Sequence, residues 1–256
     1  MDAMIFAAGQ GRRLWPLTDR MPKALIEVGG RPMLERVARS LIAAGADRLI
    51  VNAHHHAERV EAFLRESKGF GVEWRVSRED AVGDVPLETG GGLARAAGLF
   101  RGEAAFFLHN VDVLTDLDLR VPYAAHTERE PRDHRLATLV VTERPTSRPL
   151  LVDDEGVCGR ANRREGWEVV ARHPRLSTGG TLRAVGFSGI HVVSPRIFAR
   201  LKERGTFSIV DTYLRLVGEG ETIAVHEAGG GAWHDIGTPE RLEAARHALG
   251  GEAGVQ

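Results

Sequence analysis

Short, almost wholly apolar runs alternate with amphipathic stretches over the first 110 residues. Residues 4–8, 48–51 and 104–108 are such runs, and apolarity on both faces suits parallel strands covered on both sides. Between the first two, Met33, Val37 and Leu41 recur at helical spacing. They predict a helix over 32–44, with Pro32 in its first turn and Gly45 at its end. Val60 and Leu64 mark a second helix over 57–67. Residues 72–76 alternate like a strand. Residues 79–86 are polar and read as flexible. The run 87–92 reads as a tight turn with three glycines, opening a short helix through Ala97. Strands alternating with helices in this way predict an α/β fold: a Rossmann-like, doubly wound sheet flanked by helices.

The pattern then changes. A helix is expected over 117–126, a β-branched strand over 137–141, and strands at 150–152 and 156–157 bracketing the acidic turn Asp153-Asp154. Further strands are expected at 167–170, 184–186, 188–193 and 222–226, with helices over 195–202 and 209–218. A terminal helix over 240–249 has Thr238 as its cap and Pro239 as its first residue. Neither a linker nor an internal repeat interrupts the chain. It reads as one mixed α/β domain over 1–256 with a smaller second lobe.

Composition narrows the function. A net charge of -1 argues against a nucleic-acid partner. Cys158 is the only cysteine, so there is neither an internal disulfide nor a thiolate zinc cluster, and the expected home is reducing. No basic, apolar leader opens the sequence, and no apolar run approaches the length of a membrane span. A soluble cytoplasmic protein is expected, a monomer or a homodimer.

Candidate chemistry gathers at strand ends, where open α/β sheets bind ligands. Ala8, Gly9 and Gly11 follow the first strand, and glycine lets backbone N–H groups approach a phosphate. The Gly-Lys-Ser/Thr ending of a P-loop is absent, and the first helix begins too late for a dinucleotide fingerprint. Arg13 and Lys23 follow, read either as cations converging on a polyphosphate or as solvated surface charges. Asp112 and Asp235 lie at the ends of distant segments. They are either turn residues or a pair able to hold Mg2+, which takes oxygen ligands and keeps several waters. Glu88, with Gly91 inside the triple glycine, is placed to meet a base or ribose. Asn52 and Asn110 stand at strand ends as ligand contacts, whereas Asn162, Glu165 and Gly189 are candidates on the other side. His54, His55 and His56 are adjacent, but not at zinc-motif spacing.

Together these residues resemble the sugar nucleotidyltransferases, the nucleoside-triphosphate:sugar-1-phosphate transferases. The opening AAGQGRRLWPLTDRMPKAL is similar to that family's loop at Gly9, Gly11, Arg13, Pro16, Thr18, Pro22 and Lys23. The resemblance continues through LETGGG, Asn110 and Asp112, FSGI at 187–190 and WHDIGTPERL at 233–242. LETGGG is most similar to the N-acetylmuramate-1-phosphate uridylyltransferases; mannose- or heptose-1-phosphate guanylyltransferases are the alternative. The resemblance implies the nucleotide-diphospho-sugar transferase fold, with residues 1–120 mainly nucleotide-binding and 121–256 mainly a sugar-side lobe returning to the sheet. A C-terminal β-helix is not expected. It implies a nucleoside triphosphate and a sugar 1-phosphate as partners, Mg2+ as cofactor and a cell-wall recycling role. Arg13, Lys23 and Asp112 would be catalytic, and Asp112 and Asp235 would be the metal ligands. A non-catalytic sugar-nucleotide sensor is the rival class. The departures are Val111 before Asp112 where glycine is usual, Arg12 in the loop, and Arg144 in Glu143-Arg144-Pro145 where the family carries lysine.

Overall fold

The computed structural model describes residues 1–81, 83–171 and 181–250. In chain order the elements are β1 (Asp2–Phe6), α1 (Leu17–Arg20), β2 (Glu27–Val28), β3 (Arg31–Pro32), α2 (Met33–Ala43), β4 (Arg48–Ala53), α3 (Ala57–Glu66), β5 (Glu73–Arg78), α4 (Glu88–Ala96), β6 (Phe106–Asn110) and β7 (Val113–Thr115). There follow α5 (Arg120–Asp133), β8 (Ala137–Thr142), β9 (Leu150–Asp153), β10 (Gly156–Asn162), β11 (Trp167–Val170), β12 (Arg183–Val193), α6 (Ile209–Gly218), β13 (Ile223–Glu227), β14 (Trp233–Asp235) and α7 (Pro239–Gly250).

The apolar runs become the centre of a ten-stranded sheet because they can fill both of its faces. In β1, Ala3 and Ile5 point to one core while Met4 and Phe6 point to the other. In β4, Leu49 and Val51 alternate with Ile50 in the same way; in β6, Phe107 alternates with Phe106 and Leu108. This is the two-residue side-chain period of a strand buried on both sides. The first core is closed by α2, α3 and α7, the second by α4 and α6.

β6, β1, β4 and β5 are parallel neighbours in that order. The sheet becomes mixed at β12, which runs antiparallel to β6. One end of this strand, Arg183–Val185, pairs with β9; from Gly186 onward it pairs with β8, with a register shift between Phe187 and His191. β13 lies parallel to β8, and β9, β10 and β11 form an antiparallel extension. The separate strands expected at 184–186 and 188–193 are thus one long strand. Its irregular middle interrupted the apolar pattern.

Two further differences bear on the site. Residues 195–202 yield only a short 3-10 turn over Pro195–Ala199. The triple glycine lies within α4 and does not precede it. Glycine costs helix stability, and here packing requires it. A Cβ on Gly90 would stand 2.3 Å from the Phe207 ring, and one on Gly91 would stand 2.3 Å from the Gly205 carbonyl oxygen.

Candidate functional site

The carboxyl ends of β1, β4 and β6 open onto a cleft of about 260 Å3 lined by Phe6, Ala8, Gly9, Lys23, Asn52, Pro86, Glu88, Thr89, Asn110, Val111 and Asp112. Past β1 the chain turns away at Gly11, whose φ of +64° suits glycine. The Gly11 carbonyl accepts from Leu14 N (2.7 Å) and Thr18 Oγ1 (3.0 Å). The N–H groups of residues 8–11 donate to no protein acceptor among the described residues. A run of unclaimed N–H groups at a strand end is suited to an anion.

The charges are arranged in pairs. Buried Lys23 donates to Asp112 at the mouth of the cleft. β14 pairs antiparallel with β7, placing Asp235 opposite Val113, next in sequence to Asp112. Asp235 accepts from Arg241 at 2.5 Å and from Gly237 N at 3.0 Å. Burial pushes the Asp235 carboxyl up, but these hydrogen bonds and the charges of Arg241 and Lys23 outweigh it and hold the group below its ordinary value. Exposed Arg13 reaches the same turn, its Nη2 lying 3.2 Å from where a Gly237 Cβ would be. The structure therefore gathers Arg13, Lys23, Asp112 and Asp235, drawn from both ends of the chain, around the glycine loop.

A second cleft of about 610 Å3 shares Glu88 and Thr89 with the first and continues along Arg148, Leu150, Arg160, Asn162, Glu165, Trp167, Phe187 and Asp211. Exposed Glu88 thus stands at the junction, and its φ of +58° is uncommon for a residue with a side chain. Thr89 Oγ1 accepts from Ile209 N (3.1 Å), tying α4 to α6. Behind Phe187, which lines the second cleft, Arg144 stacks 3.8 Å from the centroid of the Trp233 ring and donates to Phe187 O at 2.8 Å. Burial lowers the pKa of its guanidinium.

Several predicted contacts turn inward. The Asn52 carboxamide oxygen accepts from Ala7 N (2.7 Å), and its nitrogen donates to Glu79 Oε1 (2.6 Å). Glu79 Oε2 accepts from Leu87 N (2.8 Å). Asn52 therefore borders the cleft but spends its polar atoms supporting the loop. Fully buried Glu79 went unnoticed because it begins a polar stretch that reads as flexible. Gly91 faces Gly205 and Leu87 rather than a base or ribose. Gly189 (φ +79°) makes room for Asn110, whose Nδ2 would lie 2.7 Å from a Cβ there; the space is not left for a sugar ring. Asn162 Oδ1 caps its own turn by accepting from Arg164 N and Glu165 N. Glu165 accepts from Trp167 Nε1 at 2.7 Å. Both line the second cleft. The three adjacent histidines each direct Nε2 at a backbone carbonyl: His54 at Gly83, His55 at Thr18 and His56 at Asp19.

A phosphate cradle at the carboxyl end of an open α/β sheet, with cations and a carboxylate pair at its mouth, defines a nucleotide-handling enzyme of the phosphoryl-transfer type. The chain belongs to the Nucleotidyl transferase family, whose profile matches residues 2–149. It is 33% identical over 257 residues to the N-acetylmuramate alpha-1-phosphate uridylyltransferase of Neisseria meningitidis serogroup B, spanning 98% of this chain and 99% of that one. Mannose-1-phosphate guanyltransferase of Emericella nidulans is 28% identical over 243 residues, 94% of this chain and 62% of that longer protein. Among solved structures, the inositol-1-phosphate CTP transferase from T. maritima superposes with a TM-score of 0.73 at 20% identity, covering 100% of this chain and 97% of that one, and shares the fold. No helix among the described residues is long and apolar enough to cross a membrane.

Proposed function

We propose that the protein joins a nucleoside triphosphate to a sugar 1-phosphate, releasing pyrophosphate and forming a nucleoside diphosphate-sugar, and that its preferred pair is UTP with N-acetylmuramate 1-phosphate. The observation that carries the reaction is the convergence of Arg13, Lys23, Asp112 and Asp235 on the open N–H run at 8–11. A phosphate oxygen of the sugar 1-phosphate attacks the α-phosphorus in line. A new P–O bond forms there, the bond to the β-phosphate oxygen breaks, and the electron pair leaves with pyrophosphate. The nucleophile arrives already anionic, so the protein supplies position and charge rather than a covalent partner. The cradle and Arg13 bind the triphosphate. Lys23 places a fixed cation where charge gathers on the leaving group. Glu88 and Asn110 orient the nucleoside against the sugar across the junction of the two clefts. Residues 1–120 supply most of the nucleotide side and 121–256 most of the sugar side.

Asp112 and Asp235 fit a magnesium ion. Both are oxygen donors: Asp112 stands in the turn between β6 and β7, and Asp235 on β14, which pairs with β7; no group of three His, Cys, Asp or Glu able to hold a metal stands among the described residues. The remaining coordination positions would fall to water and phosphate oxygens. When bound, the ion supplies charge neutralisation to the phosphates. The likeness to the Neisseria N-acetylmuramate alpha-1-phosphate uridylyltransferase is what supports a role in recycling cell-wall sugars, with the cytoplasm as its setting.

Two features favour the muramate reading over the mannose reading. One is the full-length match to the Neisseria relative. The other is Arg148, an exposed guanidinium in the wall of the second cleft with no ion-pair partner among the described residues, whereas Arg160 there is held by Asp211 at 2.7 Å. N-acetylmuramate carries a carboxylate on its lactyl ether; mannose does not. The test is pyrophosphate release over a matrix of four nucleoside triphosphates and several sugar 1-phosphates with magnesium present. UTP with N-acetylmuramate 1-phosphate should turn over fastest. Arg148→Ala should raise KM for that sugar about tenfold, the loss of one charged hydrogen bond of about 1.5 kcal/mol, with little change for an uncharged hexose 1-phosphate. Preference for GTP with mannose 1-phosphate would overturn the substrate assignment. Absence of release with every pair would overturn the reaction.

A further inference from the structure

We propose that His55 and His56 are positioning residues for the triphosphate loop, acting through the carbonyls of α1. The inference rests on the nucleotidyl-transfer reading above. Between β1 and β2 the chain makes a long excursion that contains both the N–H run at 8–11 and Lys23. α1 is the one α-helical turn in that excursion. The last carbonyls of a helix have no intrahelical partner. Here three consecutive ones are met from the β4–α3 connection and the first turn of α3. His55 Nε2 is 2.9 Å from Thr18 O, His56 Nε2 is 3.0 Å from Asp19 O, and the Arg59 guanidinium donates to Arg20 O. His55 and His56 follow within three residues of the end of β4, which lies between β1 and β5 in the sheet, and Arg59 stands in the first turn of α3.

Thr18 passes the constraint on. Its Oγ1 donates to Gly11 O, and its methyl Cγ2 fills the space beside Gly11, 2.7 Å from where a Cβ would stand. With that carbonyl tied back, the neighbouring N–H groups keep no protein acceptor. His56 itself has a left-handed backbone (φ +54°), uncommon for a residue with a side chain. What that backbone provides is an imidazole directed at Asp19. A carbonyl only accepts, so each Nε2 is the donor in its contact.

The test compares wild type with the double variant His55→Ala/His56→Ala, the donor-restoring double variant His55→Gln/His56→Gln, and Arg59→Ala, which alters an exposed side chain. The readouts are amide hydrogen exchange of residues 8–23 in the free protein and KM for each substrate. In the alanine pair, exchange across 8–23 should accelerate while β4 and β6 keep their protection. KM for the nucleoside triphosphate should rise about tenfold, equivalent to 1.4 kcal/mol, with KM for the sugar 1-phosphate unchanged within about twofold. The glutamine pair should recover most of both effects, and Arg59→Ala should move both in the same direction by less. Unchanged exchange across 8–23 overturns the proposal, as does an equal rise in both KM values. Accelerated exchange in a protein whose wild type turns over no substrate pair upholds the clamp and refutes the reaction assigned above.

Discussion

Replacing Asn52 by leucine isolates what holds the glycine loop to the sheet. Leucine keeps the branched, four-heavy-atom outline of asparagine, so the change removes the hydrogen-bonding atoms while adding some methyl bulk. Two buried groups then lose partners: Ala7 N, which donates to Asn52 Oδ1 at 2.7 Å, and Glu79 Oε1, which accepts from Asn52 Nδ2 at 2.6 Å. Asn52 is 2% exposed and Glu79 fully buried, so water has little access to replace either bond. Each stranded group costs about 1–3 kcal/mol, for a total of about 2–6 kcal/mol. That is a large share of the roughly 5–15 kcal/mol that keeps a protein folded. At about 2–4 °C per kcal/mol for a chain of this size, a central loss of about 4 kcal/mol lowers Tm by roughly 12 °C. The assay is thermal and urea unfolding of wild type and Asn52→Leu, followed by KM for the triphosphate at a temperature where both are folded. A variant within about 1 kcal/mol of wild type would refute the claim that these bonds anchor the loop. Lost stability with unchanged triphosphate KM would refute the link from anchor to cradle.

Neutralising the carboxylate with Asp112→Asn should cut kcat by about 10²–10³-fold, the scale of losing one electrostatic contact in the transition state, without lowering Tm by more than a few degrees. Wild-type turnover at saturating magnesium would remove Asp112 from the mechanism. His109, His126 and His191 are buried, and desolvation pulls their pKa values down from 6.5 to about 4, about 4 and about 3. Because the folded values lie below the unfolded one, their contribution is complete above about pH 7 and is lost as pH falls from 6.5 towards 4. At pH 5 the loss is roughly 2 kcal/mol per histidine by linkage, so the urea midpoint should drop clearly between pH 7 and pH 5; equal midpoints would show that these rings are not buried neutral. Gly91→Ala puts a methyl 2.3 Å from Gly205 O, so α4 must shift at a cost of about 1–3 kcal/mol, and kcat/KM should fall because Glu88 and Thr89 move with it. Gly98→Ala, with nothing within 4 Å of the added Cβ, is the matched control for stability.

The parallel half of the fold was legible because β1, β4 and β6 are buried on both faces and read as unbroken apolar runs. β12 was harder to read. Gly186, Ser188 and Gly189 interrupt its hydrophobicity, since Gly186 gives way to Arg144 and Gly189 to Asn110. Of the candidate site, the residues that meet solvent in the clefts could be placed by motif, and Lys23 and Asp112 prove to be in contact. The inward-facing supports could not. Glu79 sits among polar neighbours, and nothing in local spacing says that its carboxylate bridges Asn52 and Leu87. The same holds for the histidines, whose acceptors are carbonyls in a distant segment and leave no mark in the sequence.

Among the described residues, the antiparallel extension joins the rest of the sheet through a short seam in which β9 pairs with Arg183, Ala184 and Val185 at one end of β12. β10 adds the Arg160–Asp211 bridge to α6. The cradle belongs to a different part of the sheet, at the carboxyl end of β1. Strands β9 to β11 contribute Leu150, Arg160, Asn162 and Trp167 to the second cleft, and Leu150, Val152 and Val157 also pack in the second core with α6 and β13, so exchanging them for those of a relative requires that core to be matched as well as the seam. If the second cleft takes the sugar 1-phosphate, as proposed above, a chimera of that kind should take its acceptor from the graft and keep the donor chemistry of the host.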